Sequence, residues 1–282
     1  MDRLYAGFRP MAVPCGESMS SAKTIFSAGR LSLASLNFQA DPALIQSWVP
    51  SGFNPELHNG DCYASLVCVS LKNVGGRGLP FPICFRLGAI YLRVYVSQET
   101  SHGTLRGFRQ VRSAVTSERG RWLLRPLFGD DLKVMRIHQT LTGFDGTASE
   151  ENPPSAEFSW KTGPEKSISK IKVTGRQRMT LGRRDSKVGF ILDHSWLFAE
   201  HEGKTVAYEY KNAPATIWNA GQVIVQGDTS ELLGTKLAKV LGRKPASVFL
   251  VEPSVITCSG PYTPEEAAQL QAKKPRNAGA AN

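Results

Sequence analysis

The sequence predicts an α+β fold that is mainly antiparallel β, with its helices at the periphery. Three observations carry this: apolar residues alternate with polar ones over most periodic segments, short turn signals separate those segments, and the strand–helix–strand alternation of a parallel sheet is absent. At 282 residues and 41% hydrophobic content, the chain can bury a sizeable core as one large domain or two small ones. The 26 Gly and 17 Pro follow no period, which excludes repeat and collagen-like architectures. The longest apolar candidate, residues 63–71, is interrupted by serines and too short to cross a bilayer, so no membrane span is expected.

Taken in order, residues 1–30 lack periodicity and any apolar h-region, and read as a flexible leader. A single β-domain is expected over 31–260, followed by a polar tail over 261–282. Asp41 and Pro42 suit the N-cap and first position of a short helix carrying Leu44, Ile45 and Trp48, stopped by Pro50 and Gly52. Residues 62–71 are β-rich. Over 90–97, Ile90, Leu92, Val94 and Val96 alternate with Tyr91, Arg93 and Tyr95, giving one aliphatic and one Tyr-Arg-Tyr face. Thr116 or Ser117 can cap a second helix with Trp122, Leu123 and Leu124, which Pro126 is expected to end.

After a turn at 128–131, Ala156, Phe158 and Trp160 alternate with polar residues. Beyond Thr162-Gly163-Pro164, Ile171, Val173, Gln177, Met179 and Leu181 oppose Lys170, Lys172, Thr174, Arg176 and Arg178, predicting a long hairpin with one basic face. Strands over 195–200 and 206–211 are linked through Glu202-Gly203-Lys204. Asp228 and Glu231 form a capping-box pattern before Leu232, Leu233, Leu237, Val240 and Leu241, with Gly242 as the stop. The last strand spans 246–257 and is interrupted by Pro253.

Signatures for chemistry are mostly missing. Neither the phosphate-cradling nor the dinucleotide glycine pattern occurs, and Gly75-Gly76-Arg77-Gly78 reads as a structural loop. Gly16-Glu17-Ser18-Met19-Ser20 fails the nucleophile-elbow pattern. No cofactor is expected. Asp193, His194, Glu200, His201 and Glu202 are competent metal ligands, but two histidines seven apart on one strand point to opposite faces, so no metal is expected either. Five cysteines, Cys15, Cys62, Cys68, Cys84 and Cys258, without a Cys-x-x-Cys spacing suit free thiols in a reducing, cytoplasmic setting.

The formal charge of +10 is concentrated in two segments. One runs over 104–138 through Arg106, Arg109, Arg112, Arg119, Arg121, Arg125, Lys133 and Arg136, and the other is the basic hairpin. The hairpin face lacks the aromatics that stack nucleobases, so it reads as a solvated face, and nucleic acid is not the expected partner.

Residues 41–53, Asn59-Gly60-Asp61-Cys62-Tyr63-Ala64-Ser65-Leu66-Val67, Arg77-Gly78-Leu79-Pro80, Tyr91-Leu92-Arg93-Val94-Tyr95-Val96, Arg125-Pro126-Leu127-Phe128-Gly129-Asp130-Asp131 and Pro245-Ala246-Ser247-Val248-Phe249-Leu250-Val251-Glu252 stand in an order that resembles a bacterial family of unknown function in the acetoacetate decarboxylase-like superfamily. The resemblance spans roughly 31–257 and implies a cone-shaped antiparallel β-barrel around a small-molecule cavity. Acetoacetate decarboxylase works through a Schiff-base lysine whose pKa is lowered by desolvation or an adjacent cation. Laid without gaps on Phe128-Gly129-Asp130-Asp131, its reactive position falls on Leu132 and the cationic neighbour on Lys133; a one-residue shift makes Lys133 the nucleophile. Ala89 stands where related sequences often carry Glu.

The expectation is therefore a barrel that binds a small anionic or carbonyl-bearing ligand without the standard decarboxylase lysine. Tyr91, Arg93, Tyr95 and Arg136 are the candidate ligand-binding residues, since an arginine flanked by aromatics suits a planar carboxylate. The competing readings are a carbon–carbon lyase acting on a β-keto acid through Lys133, and a nucleic-acid or acidic-partner surface on the basic hairpin. The oligomeric state is left open, a homo-oligomer included.

Overall fold

The computed structural model describes residues 24–76, 85–129, 132–162, 167–179, 186–213, 215–234, 238 and 244–273. The chain opens with β1 (Thr24–Ala40), so the segment read as a leader is strand from Thr24 onward, and its first 23 residues lie outside the described ones. In α1 (Pro42–Gln46) the Asp41 carboxylate accepts the Ala43 N–H at 2.9 Å, as its N-cap position requires. Short β2 (Asn54–Pro55) and β3 (Leu57–His58) precede three long strands, β4 (Asp61–Gly76), β5 (Phe85–Thr100) and β6 (Gly103–Val115). The chain continues through α2 (Glu118–Phe128), β7 (Leu132–Val134), β8 (Ile137–Thr142), β9 (Ser155–Thr162), β10 (Ser167–Met179) and α3 (Lys187–Leu192). It ends with β11 (Trp196–His201), β12 (Lys204–Asn212), β13 (Ile217–Gln226), α4 (Ser230–Leu233), β14 (Ser247–Tyr262) and α5 (Pro264–Lys273).

The strands form one 14-stranded sheet that turns back on itself. Because β1 pairs with both β4 and β14, the ladder runs β1-β4-β5-β6-β11-β12-β14 and returns to β1; every step is antiparallel except β6 to β11. From β14 the sheet continues through β13, β10 and β9 to β8, which lies against β5 where the Gln139 side chain covers Gly88. The two alternating faces of the ring strands therefore feed two cores. Ile90, Leu92, Val94 and Val96 pack with Phe158, Trp160, Ile171, Val173 and Trp218 of the returning strands. Tyr91 and Tyr95 face inward with Tyr63, Val67, Phe108, Leu197, Phe249 and Cys258, closed over by Leu123, Leu124 and Leu127 of α2 and by Phe190 and Ile191 of α3. Phe26 of β1 meets Tyr210 of β12 edge-on across this interior, with ring centroids 6.1 Å apart.

Several expected boundaries move. Ser117 caps α2 through the Gly120 N–H, but the helix passes Pro126 and stops at Gly129, whose positive φ of 73° suits glycine. Pro126 has no N–H to give the carbonyl of Trp122, a residue that is largely exposed. Register shifts around Gly175 put a bulge in β10, so the alternation ends there and Gln177 is exposed instead of facing the core. A second irregularity lets β14 run through Pro253: Leu31 faces Ser254 and Leu33 faces Val251, leaving Glu252 and Pro253 outside the ladder. The helix after Asp228 ends at Gly234, and most of its expected continuation lies outside the described residues. The tail is not uniformly loose, since α5 is held by a reciprocal capping box between Thr263 and Glu266 and buries Ala267 and Ala268.

Candidate functional site

The interior face of β5 brings three of the five expected residues together. The Arg93 guanidinium lies over the Phe108 ring, its carbon 3.9 Å from the centroid, and donates to the Tyr91 hydroxyl at 3.3 Å. Arg93 keeps part of its surface open, yet its Nε is buried without a hydrogen-bond partner. No carboxylate pairs with it among the described residues. A bulge positions this arginine: between Leu92 opposite Arg112 and Arg93 opposite Gln110, β6 carries one extra residue, Val111.

A chain of neutral polar groups continues from Arg93. The Tyr95 hydroxyl and Ser65 Oγ are 2.7 Å apart, Ser65 and Ser35 both donate to Asn37 Oδ1 at 2.6 and 2.8 Å, and Asn37 Nδ2 donates to the Ser247 carbonyl and hydroxyl. On the facing wall Tyr210 is hydrogen-bonded to the Cys258 thiol. Burial pushes the phenols of Tyr91 and Tyr95 above their ordinary range, against the opposing pull of Arg93, and pushes Tyr210 well above it. Near neutral pH these groups are hydrogen-bond donors. The arrangement offers one positive charge, several neutral donors and an aromatic floor, which is the chemistry of a carboxylate or enolate cradle.

The other two expected residues lie elsewhere. Leu132 is buried in the interior core, paired in register with Ser113, whereas its neighbour Lys133 points the opposite way on β7 and is exposed, as is Arg136. No lysine is buried among the described residues. The weighed metal ligands also disperse. His194 Nδ1 donates to the Phe190 carbonyl and its Nε2 meets Glu56, both at 2.7 Å; Glu200 pairs with Arg109, and His201 meets the Tyr208 hydroxyl at 3.1 Å. In the basic hairpin Lys172 faces Glu157 at 3.9 Å, and Arg178 donates to the Ala148 carbonyl while lying over Trp218.

The sequence reading passed over Ser35, Asn37, Ser65 and the Glu56–His194–Arg106 group. Single polar residues inside otherwise apolar strands were the available signal for the first three. Glu56 and His194 are 138 positions apart and carried none.

A family model described as an uncharacterized conserved protein, DUF2071, matches residues 31–255. No curated protein matches the chain. Among solved structures it is similar to the enduracididine biosynthesis enzyme MppR complexed with pyruvate, at 13% identity and a TM-score of 0.58 over 89% of this chain and 94% of that one. It is also similar to an acetoacetate decarboxylase-like enzyme from Sphingomonas wittichii RW1, at 12% and 0.56 over 86% and 93%. The acetoacetate decarboxylase of Legionella pneumophila matches at 10% and 0.55, over 85% and 86%. At these identities the likeness establishes a shared fold.

Proposed function

Since the chain belongs to the DUF2071 family and has the acetoacetate decarboxylase-like fold, we propose that it binds a small carboxylate-bearing ligand in the ring interior, with Arg93 as the anchor and without a Schiff-base lysine. The observation that carries this reading is the Arg93 guanidinium, drawn into an aromatic interior with its Nε unpartnered and no acid beside it among the described residues. A charge taken from water without compensation is costly, and an incoming carboxylate supplies the missing partner. Tyr91, held protonated by burial, lines the site beside Arg93, and Tyr95 donates its hydroxyl hydrogen to Ser65, which itself donates to Asn37. Leu132 at the position where the resemblance puts the nucleophile, and Lys133 on the outside, speak against imine formation. That MppR is known in complex with pyruvate, a small keto carboxylate, fits the same ligand class.

Calorimetry with pyruvate, acetoacetate and benzoate, each against its neutral amide, tests the reading. The acids bind and the amides do not, and Arg93→Gln weakens the acids at least about tenfold, roughly 1.4 kcal/mol. Equal affinity for acid and amide, or an indifferent Arg93→Gln, overturns it. Borohydride reduction in the presence of each keto acid leaves every lysine unmodified; an adduct on Lys133 would restore the lyase reading.

A further inference from the structure

The polar chain behind Arg93 has a direction, and we infer that this makes Ser65 the positioning residue of the anchor: through the Tyr95 hydroxyl it holds the guanidinium by dipoles, fixed in place and still charged. Ser65 has this role only if Arg93 is the carboxylate anchor proposed above, whereas the orientation it imposes exists without a ligand. Ser247, Asn37, Ser65 and Arg93 are consecutive partners across β14, β1, β4 and β5, so their side chains form one row on the inner face of the ring. Ser35, Asn37, Ser65 and Tyr95 are each at most 1% exposed, which leaves the protein itself to take every hydrogen of the chain.

Each of those hydrogens has one place to go. The Ser247 carbonyl can only accept, so the Asn37 group facing it at 3.2 Å is the amide nitrogen, and Oδ1 is the acceptor turned toward Ser35 and Ser65. Ser65 has a single hydrogen and gives it to that oxygen at 2.6 Å. Its own oxygen, 2.7 Å from the Tyr95 hydroxyl, must therefore receive the tyrosine's hydrogen. Tyr95 is left facing Arg93 with a lone pair, and the bond between them completes the chain, since a guanidinium has only donors to offer. Every dipole from Asn37 to Tyr95 thus turns its negative end to the cation, and the aligned bonds strengthen one another. A carboxylate would also position Arg93, but it would cancel the charge that an incoming acid needs; oriented hydroxyls leave that charge in place and need no rearrangement when the acid arrives. Ser35 gives its hydrogen to the same Asn37 oxygen on a side branch, which makes it an internal control for the loss of a buried serine hydroxyl.

The test has a readout without ligand and one with it. In the first, NMR on protein with labelled arginine follows rotation of the Arg93 guanidinium about its Nε–Cζ bond. Ser65→Ala and Tyr95→Phe each speed this rotation at least about threefold, and Ser35→Ala leaves it unchanged. In the second, calorimetry compares pyruvate with propionate, which lacks the keto oxygen. Ser65→Ala and Tyr95→Phe weaken both acids by one common factor, about fivefold, and Ser35→Ala weakens neither. Should Ser65→Ala fold poorly, Tyr95→Phe carries the same test from the other side of the bond, and Ser65→Thr, which keeps the hydroxyl, retains the native rotation. Rotation that ignores Ser65→Ala and Tyr95→Phe, or responds equally to Ser35→Ala, overturns the proposal. So does a loss confined to pyruvate, which would make Tyr95 a direct contact of the keto oxygen, and so do affinities that stay native when the rotation changes. If the rotation follows Ser65 but the native protein binds neither acid, the orientation stands and the reading of Arg93 as anchor falls.

Discussion

Arg93 is tolerable in the interior because its surroundings answer different parts of its demand. The Phe108 face meets the cation, the Tyr91 hydroxyl accepts one N–H, and the remaining open surface keeps some solvent or ligand in reach. Asn37 has no such latitude. It is fully buried, with its carbonyl oxygen taken by two serines and its amide by Ser247, so truncation orphans groups on three strands at once. Asn37→Ala should cost about 2–3 kcal/mol in urea denaturation, whereas Ser35→Ala, which removes one of two donors to the same oxygen, should cost about 1. A second residue-scale prediction concerns Leu132. Leu132→Lys places an ammonium in the interior core; desolvation lowers its pKa, costs about 2–4 kcal/mol of stability, and makes a nucleophilic amine where the native chain has leucine. Borohydride with pyruvate should then label residue 132 in the variant and no lysine in the native protein. A variant that remains unlabelled while folded would mean that the side chain has turned out of the interior.

At the level of elements, β6 and β11 approach closely, and Gly107 permits it. A Cβ there would stand 2.4 Å from the Trp196 carbonyl oxygen and 2.5 Å from the Phe198 ring, and the former is backbone that cannot swing aside. Gly107→Ala is expected to cost about 2–3 kcal/mol and to loosen the only parallel step of the ring, read as faster amide exchange over 196–198. The fastening of α3 works differently. His194 ties the Phe190 carbonyl to Glu56, Glu56 also receives Arg106, and the Glu56 N–H donates to the Tyr95 carbonyl at 3.0 Å. Removing Glu56 leaves the buried His194 Nε2 without its partner and Arg106 with Asp193 alone, so Glu56→Ala should lose about 1–3 kcal/mol in urea denaturation. Elements of this kind were unevenly legible in the sequence. The cap at Asp41, the strand face of Tyr91, Arg93 and Tyr95, and the turn at Glu202-Gly203 are local and were readable, the last having both residues at positive φ. The passage of α2 through Pro126 and of β14 through Pro253 was not, because the compensation lies in exposure and in a bulge against β1. The capping box at Thr263 and Glu266 was present in the sequence and went unread.

For the whole molecule, alternation predicted antiparallel strands but could not show that both faces of β4 and β5 would be buried, since that depends on β8 to β10 returning over the ring. The same double burial sets the pH response. Cys68 and Cys258 are pushed far above the ordinary thiol range by burial and Cys62 to about 11, while Tyr208 is pushed to about 12 and Tyr210 well above the ordinary phenol range. All of these folded-state values are raised, so the folded protein holds protons that the unfolded chain releases. Their contribution is complete below the unfolded pKa values, near 8.5 for thiols and 10 for phenols, and is lost as pH rises toward the folded ones. Each fully buried group then subtracts about 1.4 kcal/mol per pH unit, so between pH 7.5 and 10.5 the two interior thiols alone remove on the order of 3–5 kcal/mol. Urea midpoints should be flat from pH 7 to 8 and fall steeply above 9, and replacing Cys68 and Cys258 together by Ala should flatten the onset while lowering stability at pH 7. A midpoint unchanged at pH 10.5 would mean that these groups reach solvent in the folded state, and that the two cores are wetter than their packing implies.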